Sequence, residues 1–309
     1  MAGRKIGDIV TFGLAFLILV GGALGLWSFS KRPPVLVVTD EVFDGLYGVE
    51  RARLKQAQIA FKLLRPVKTV RIAENSGADV VSFAVEDASA HPWCVLFPYC
   101  YYQGAGRYAR QFPETPVFLI GGQFRDSGEG RAIVTDTLLD RYRAGLGAAL
   151  LAADGGDVLF FYTDPASGDE RDAFEAGLRA GGYERTPRYL RGSADYSTQE
   201  GVSCAVIAGQ ADSFLEETTD IPVILCSWID PALTPRRVKL VFDDSPWAFA
   251  VRAAELAPLA EGGVPLRLPS EATVLDGRIP DKELRQKLKA AVLTTPQTAF
   301  VAENILENQ

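Results

Sequence analysis

Short apolar runs alternate with amphipathic stretches along most of the chain. In the first half the runs cover residues 34–40, 68–73, 93–97, 116–120 and 132–135. Runs of this length, bounded by turn residues, are typical of buried strands, whereas apolar residues at three- and four-residue spacing are typical of helices. The spacing predicts a helix over 50–65, with one apolar face made by Leu54, Ala57, Phe61 and Leu64.

A stretch rich in small residues opens the second half. The segment from Asp140 to Pro165 begins as a helix whose small side chains would let a neighbour pack very close, namely Ala144, Gly145, Gly147, Ala148 and Ala149. Gly155 and Gly156 then end the helix. The unbroken apolar run Val158 to Tyr162 follows, as in a parallel strand that is covered on both faces.

The second half repeats the order of the first. Ser167 and Glu170 form a capping box for a helix that ends near Gly181, and further strands are expected at 185–190, 202–208, 222–228 and 238–242, with helices at 246–260 and 281–292. Alternating strands and helices imply parallel sheets with right-handed crossovers. We therefore predict an α/β protein with two Rossmann-like lobes, and chance likeness between two ordinary α/β domains is the alternative to a repeat.

The predicted boundaries follow from this pattern. Residues 1–32 form an N-terminal segment, 33–139 the first lobe, 140–265 the second lobe, and 266–309 a return segment with a C-terminal helix and tail.

The N-terminal segment contains a candidate membrane helix. Residues 9–29 carry no charge over 21 positions, a length that spans about 30 Å as a helix. This exceeds the usual apolar core of a signal peptide, so an uncleaved anchor is favoured and a cleaved signal is the alternative. With a short basic leader before the helix, residues 33–309 are expected outside the cytoplasm, on a single-pass protein of the inner membrane.

Composition narrows the classes of function. The chain of 309 residues is 48% hydrophobic and 23% charged, as in folded proteins, and its net charge of −7 argues against nucleic acid as a partner. Four cysteines do not form a disulfide scaffold at this length. All four thiols are expected to be buried, and a Cys204–Cys226 bridge is an alternative.

Catalytic signals are missing from the sequence. There is one histidine, His91, and no GxSxG, HExxH, CxxC or P-loop motif. We therefore predict no enzyme, no metal site and no cofactor, and a carboxylate-dependent hydrolase or transferase is the less favoured alternative.

Three segments resemble the type I periplasmic-binding-protein fold, and within it the substrate-binding proteins of the basic-membrane-protein kind. They are Phe112 to Gly122, Asp140 to Pro165 and Val238 to Gly263. The resemblance implies a bilobed protein that closes on a small molecule in the interlobe cleft, usually for the permease of an ABC importer. The chain departs from those relatives in having a helical anchor and no lipidation cysteine. A ligand-sensing or structural ectodomain with a degenerate cleft is thus an alternative.

Candidate ligand contacts follow the strands, because ligands of α/β proteins bind outside the carboxyl ends of parallel strands. The first lobe offers Asp40, Phe43, Gln123 and the Tyr99 to Tyr102 cluster, of which Tyr99 and Tyr102 are the chosen contacts. The second lobe offers Asp164, Trp228, Asp230, and Asp243 with its neighbour Asp244. Aromatic rings that stack and carboxylates that accept hydrogen bonds suit a nucleoside, sugar or similar ligand. Each carboxylate could instead cap a helix or loop.

Overall fold

The computed structural model describes residues 20–25, 27–124, 130–152, 155–162, 167–191, 201–209, 220–259 and 265–293. Two six-stranded sheets organise these residues. Because strands alternate with helices in both halves, the structure confirms the prediction of an α/β protein with two parallel-sheet lobes.

The first sheet has the strand order β11-β5-β4-β3-β1-β2. Its strands are β1 (Val35–Thr39), β2 (Val67–Arg71), β3 (Cys94–Pro98), β4 (Val117–Ile120), β5 (Arg131–Thr135) and β11 (Leu266–Leu268). β1 pairs in parallel with both β2 and β3, and β3 pairs in parallel with β4. β1, β3 and β4 are buried along their whole length, which explains why they read as continuous apolar runs.

The second sheet has the order β12-β10-β9-β8-β6-β7. Its strands are β6 (Asp157–Tyr162), β7 (Arg188–Arg191), β8 (Val202–Ala208), β9 (Val223–Leu225), β10 (Val238–Asp243) and β12 (Glu271–Val274). The pairs from β7 to β10 are parallel, and β12 joins β10 antiparallel. Neither β11 nor β12 was predicted. Both belong to the return segment that begins at residue 266, and β11 joins the first sheet whereas β12 joins the second.

In the described residues, seven α-helices lie between these strands along the chain, and an eighth follows β12. They are α1 (Glu41–Tyr47), α2 (Val49–Leu63), α3 (Ala78–Ala88), α4 (Tyr102–Gln111), α5 (Thr137–Leu151), α6 (Gly168–Ala180), α7 (Pro246–Glu255) and α8 (Lys282–Leu293). As the capping box predicted, the Ser167 hydroxyl accepts a hydrogen bond from the Glu170 amide at the start of α6.

The chain divides by compactness into two units. The first consists of residues 1–44, 50–132 and 250–264, and the second of residues 45–49, 133–249 and 265–309. The main division falls inside β5, and the chain changes unit again near residues 249 and 264.

Close packing of α5 on α6 confirms the role expected of the small residues. A Cβ atom added to Gly145 would collide with the Phe174 carbonyl oxygen, and one added to Gly177 would collide with the Tyr142 carbonyl oxygen. The two backbones therefore meet directly.

Most of the predicted membrane segment lies outside the described residues. Residues 20–25 and 27–30 are helical, and no helix in the described part is long and apolar enough to cross a membrane. All four cysteines are free; Cys94 and Cys204 are buried and Cys226 is half-buried, but Cys100 is exposed, so burial of all four was wrong.

Candidate functional site

In the first lobe, Asp40 directly follows β1. The Asp40 Oδ1 atom accepts a hydrogen bond of 2.6 Å from the Phe43 amide, so this carboxylate caps α1. The Tyr101 hydroxyl donates to the other oxygen, Oδ2. Burial, and then this hydrogen bond to a carboxylate, raise the pKa of Tyr101. Since Asp40 and Phe43 are both buried, their side chains are integrated into the lobe itself.

Other predicted contacts of the first lobe reach the surface. Tyr99 is exposed and lies over Gly122, where an added Cβ would come within 2.8 Å of the Tyr99 Cβ. Gln123, the residue after Gly122, is exposed. Tyr102 is half-buried, and its hydroxyl accepts a 3.0 Å hydrogen bond from Gln103 Nε2. The structure thus places Tyr99 beside Gly121 and Gly122, which lie between the end of β4 and Gln123 in the sequence.

In the second lobe, a polar group forms where β9 and β10 end. The half-buried Asp244 carboxylate accepts hydrogen bonds from the Trp228 amide at 2.9 Å and from the Ser227 hydroxyl at 3.2 Å. Burial raises the pKa of Asp244, and these two hydrogen bonds counteract part of that effect. The Trp228 side chain is half-buried and packs against the core cluster that contains Leu159 and Phe161.

Two charged side chains from helices join this group. Arg141 on α5 donates from Nε to Glu170 on α6 at 3.2 Å, and both side chains are mostly buried. The Arg141 guanidinium lies 5.8 Å from the centre of the Phe160 ring. Burial raises the pKa of the Cys226 thiol to about 11, while Arg141 opposes that shift and Asp244 reinforces it. Arg141, Cys226 and Asp244 are therefore close enough to influence one another.

The remaining predicted carboxylates of the second lobe have different positions. Asp243 is buried, and its Oδ1 accepts a 3.0 Å hydrogen bond from the Ser245 amide. Asp230 is exposed and caps a short 3₁₀ turn through the Ala232 amide at 2.8 Å. Asp40, Asp230 and Asp243 thus have the alternative role considered for these acids, which is to cap a helix or a loop. Asp164 lies outside the described residues.

We name the set Arg141, Glu170, Ser227, Trp228 and Asp244 the second-lobe polar cluster. Arg141 and Glu170 were not predicted as contacts, although both lie in segments that the sequence singled out. The cluster supplies a donor fork, two acceptors and one partly accessible indole ring, a combination that can hold hydroxyl or amino groups next to a flat face.

In the described ranges, no group of three or more His, Cys, Asp or Glu side chains is placed to hold a metal ion. His91 is exposed in the bend before β3.

Comparison with known proteins places the fold. No family model matches the chain, and no curated protein matches it in sequence. A solved transcriptional activator of the comK gene from Bacillus halodurans is similar, with a TM-score of 0.61 and 14% identity, over 87% of this chain and 99% of that one.

An ABC transporter solute-binding protein from Conexibacter woesei is also similar, with a TM-score of 0.58 and 12% identity, over 85% of this chain and 95% of that one. At these identities the likeness concerns the fold alone. Together with the two parallel-sheet lobes, it shows that this chain has the type I periplasmic-binding-protein-like fold.

Proposed function

We propose that the protein is a solute-binding protein whose second-lobe polar cluster holds a small polar ligand that carries a ring. The observation that carries the proposal is the half-buried Asp244 carboxylate, which accepts hydrogen bonds from the Ser227 hydroxyl and the Trp228 amide at the carboxyl ends of β9 and β10. Arg141 acts on it electrostatically, because it lowers the pKa of Asp244 against the effect of burial. This is the edge of a parallel sheet at which α/β proteins bind ligands.

The chemistry of the cluster suits hydroxyl-rich or amino-bearing ligands. Asp244 and Glu170 accept hydrogen bonds, and Arg141 donates them in a planar fork. Burial strengthens hydrogen bonds to charged groups, and an indole face stacks on a sugar or base. A nucleoside or sugar satisfies all of these groups. Tyr99, Tyr102, Gln123 and Asp164 remain predicted ligand contacts.

The membrane anchor and the transporter belong to this proposal as well. An uncharged segment at residues 9–29 would tether the protein to the inner membrane, with residues 33–309 outside the cytoplasm. An ABC permease would then receive the ligand. The protein of similar fold from Conexibacter woesei supports the permease as a partner, because it is a solute-binding protein of an ABC transporter system.

Native mass spectrometry of the full chain in detergent micelles tests the proposal. The purified protein would be incubated with nucleosides, monosaccharides and amino acids, and one ligand class should give a stoichiometric complex. Turnover of that ligand would instead support the carboxylate-dependent enzyme. Absence of any complex across the three classes would contradict the solute-binding function and favour an ectodomain with a degenerate cleft.

A further inference from the structure

The apolar face predicted for the helix at 50–65 is turned to solvent. In α2, Leu54 is 66% exposed and Phe61 is 82% exposed, and Leu64 just beyond the helix is 56% exposed. The face that packs inward carries Ala52, Lys55 and Ile59 instead. A helix that directs a lysine inward and a leucine and a phenylalanine outward presents an apolar stripe that is a candidate contact surface.

Basic residues border this apolar face. Between residues 49 and 65 the sequence has five bases and one acid, in a chain whose net charge is −7. Arg53 and Lys62 have mostly exposed side chains and occupy either side of the Leu54–Phe61 stripe. Arg53 pairs with Glu50 at 2.6 Å and Lys62 with Glu255 at 2.9 Å. A basic amphipathic helix with exposed Leu and Phe has the composition of helices that lie in an anionic membrane surface.

The position of α2 next to the N-terminal helical segment identifies the partner. Arg32, which follows that segment, donates through Nη1 to the Leu64 carbonyl oxygen at 3.0 Å. Arg65 donates in return to the Pro33 carbonyl oxygen at 3.4 Å, and the Val35 amide donates to the Pro66 carbonyl at 2.9 Å. The end of α2 is therefore fixed to the point at which the proposed anchor joins the lobe.

The residues around that point are those that favour a membrane–water interface. Trp27 is exposed, and the Lys31 ammonium lies 5.9 Å from the centre of its indole ring. Leu64 has a φ of 49°, a left-handed conformation in which glycine or asparagine is usual at a helix end. An exposed leucine is thus held in an unfavourable backbone conformation directly beside the anchor.

We propose that Leu54, Phe61 and Leu64 of the first lobe lie in the surface of the bilayer, so that the lobe rests on the membrane through α2. The inference rests on the proposed anchor at residues 9–29. A lipid surface explains the apolar stripe, its basic borders and its connection to Arg32 together. The contact would hold the first lobe at a fixed orientation above the membrane.

Spin-label accessibility in the full chain tests the contact. A nitroxide would be attached at Phe61→Cys in a Cys100→Ser background, with the protein in nanodiscs of mixed phosphatidylcholine and phosphatidylglycerol. Phe83→Cys is the matched control. Phe83 is 69% exposed on α3. Right-handed crossovers from β1 to β2 and back to β3 place α3 on the other face of the first sheet from α2.

Oxygen concentrates in hydrocarbon and a nickel chelate stays in water. The ratio of their collision rates with the nitroxide therefore reports the depth of the label in the bilayer. We expect the ratio to favour oxygen at position 61 and the nickel chelate at position 83. Water-like ratios at both positions in nanodisc-bound protein would overturn the surface contact while leaving the anchor intact. Protection of position 61 from both reagents would also overturn it, in favour of a protein partner such as a second copy.

Two further outcomes are distinguishable. Equal insertion of both positions would contradict the assignment of α2 as the membrane face. Failure of the full chain to enter nanodiscs would remove the anchor, and with it this proposal, without bearing on ligand binding by the second-lobe polar cluster.

Discussion

The Tyr101 hydroxyl donates a hydrogen bond to the Asp40 carboxylate across 61 positions of sequence, while the other Asp40 oxygen caps α1. One buried carboxylate thereby joins the end of β1, the start of α1 and the turn that follows β3. This relationship stabilises the strand-end edge of the first lobe.

Removal of either partner should destabilise the first lobe. Tyr101→Phe leaves one Asp40 oxygen without its donor, and we expect a loss of about 1 to 3 kcal/mol in the free energy of unfolding. Asp40→Ala also removes the helix cap, which is worth roughly 1 kcal/mol more. Urea denaturation of the two single variants and the double variant would measure their coupling. Strictly additive losses would contradict a direct interaction.

Substitution of a glycine in α6 should depend on its position along the helix. Gly177→Ala forces a methyl group against the Tyr142 carbonyl and should cost on the order of 1 to 3 kcal/mol, because α5 and α6 cannot separate without loss of packing. Gly168→Ala is the control, since an added Cβ meets nothing there. That variant should be neutral or slightly stabilising in thermal denaturation. Equal effects at both positions would contradict the close packing.

Stability should depend on pH through Asp140, which is buried in the second lobe. Its carboxylate accepts hydrogen bonds of 3.1 Å from the Ser270 amide, and Arg143 Nη1 lies 3.3 Å away. Burial raises the pKa of Asp140 from 3.8 to about 6, against the opposing effects of Ser270 and Arg143. Between these values the folded state binds more protons than the unfolded state, so its stability falls as pH rises.

The expected change is about 3 kcal/mol, complete near pH 6. Denaturant titrations between pH 4 and pH 7 should show this decline in the parent and a flatter profile in Asp140→Asn, which does not titrate. If the stability of the parent and that of Asp140→Asn instead rise by the same amount through this pH window, the assignment to Asp140 is contradicted.

The elements of the fold were predictable because strands that are buried on both faces leave continuous apolar runs, as in β1, β3, β6 and β8. β11 was not predicted, because its three residues are interrupted by Arg267 and pair only through a distant part of the chain. The strand predicted at 222–228 ends at Leu225, because Ser227 and the Trp228 amide bond to Asp244.

The site was harder to predict than the fold. Periodicity shows which residues share a face, but it does not show which face packs inward, and in α2 the inward face is that of Lys55 and Ile59. At strand ends, the sequence does not show which acid caps a turn and which belongs to the candidate site. Asp243 accepts a hydrogen bond from the nearby Ser245 amide, whereas its neighbour Asp244 bonds to the Trp228 amide in the cluster. Arg141 was missed because its role depends on Glu170 from another helix.

Trp228 should contribute to ligand affinity through its ring. Trp228→Ala removes a stacking surface, and we expect a loss on the order of 1 to 3 kcal/mol, or roughly 5- to 150-fold in the dissociation constant. Because the side chain also packs against the Leu159 cluster, the unfolding transition must be recorded in parallel. Unchanged affinity in a folded variant would exclude the ring from the site.

Calorimetric titration of the Asp244→Asn variant tests the central claim most directly, with the ligand identified by mass spectrometry as the probe. Asp276→Asn is the matched control, because Asp276 follows β12 at the opposite end of β10 from Asp244 and pairs with Lys289. We predict that Asp244→Asn weakens binding by about 10-fold or more, since a charge-assisted hydrogen bond contributes roughly 1.5 to 3 kcal/mol, and that Asp276→Asn binds like the parent. Parental affinity in a folded Asp244→Asn variant would contradict ligand binding by the second-lobe polar cluster.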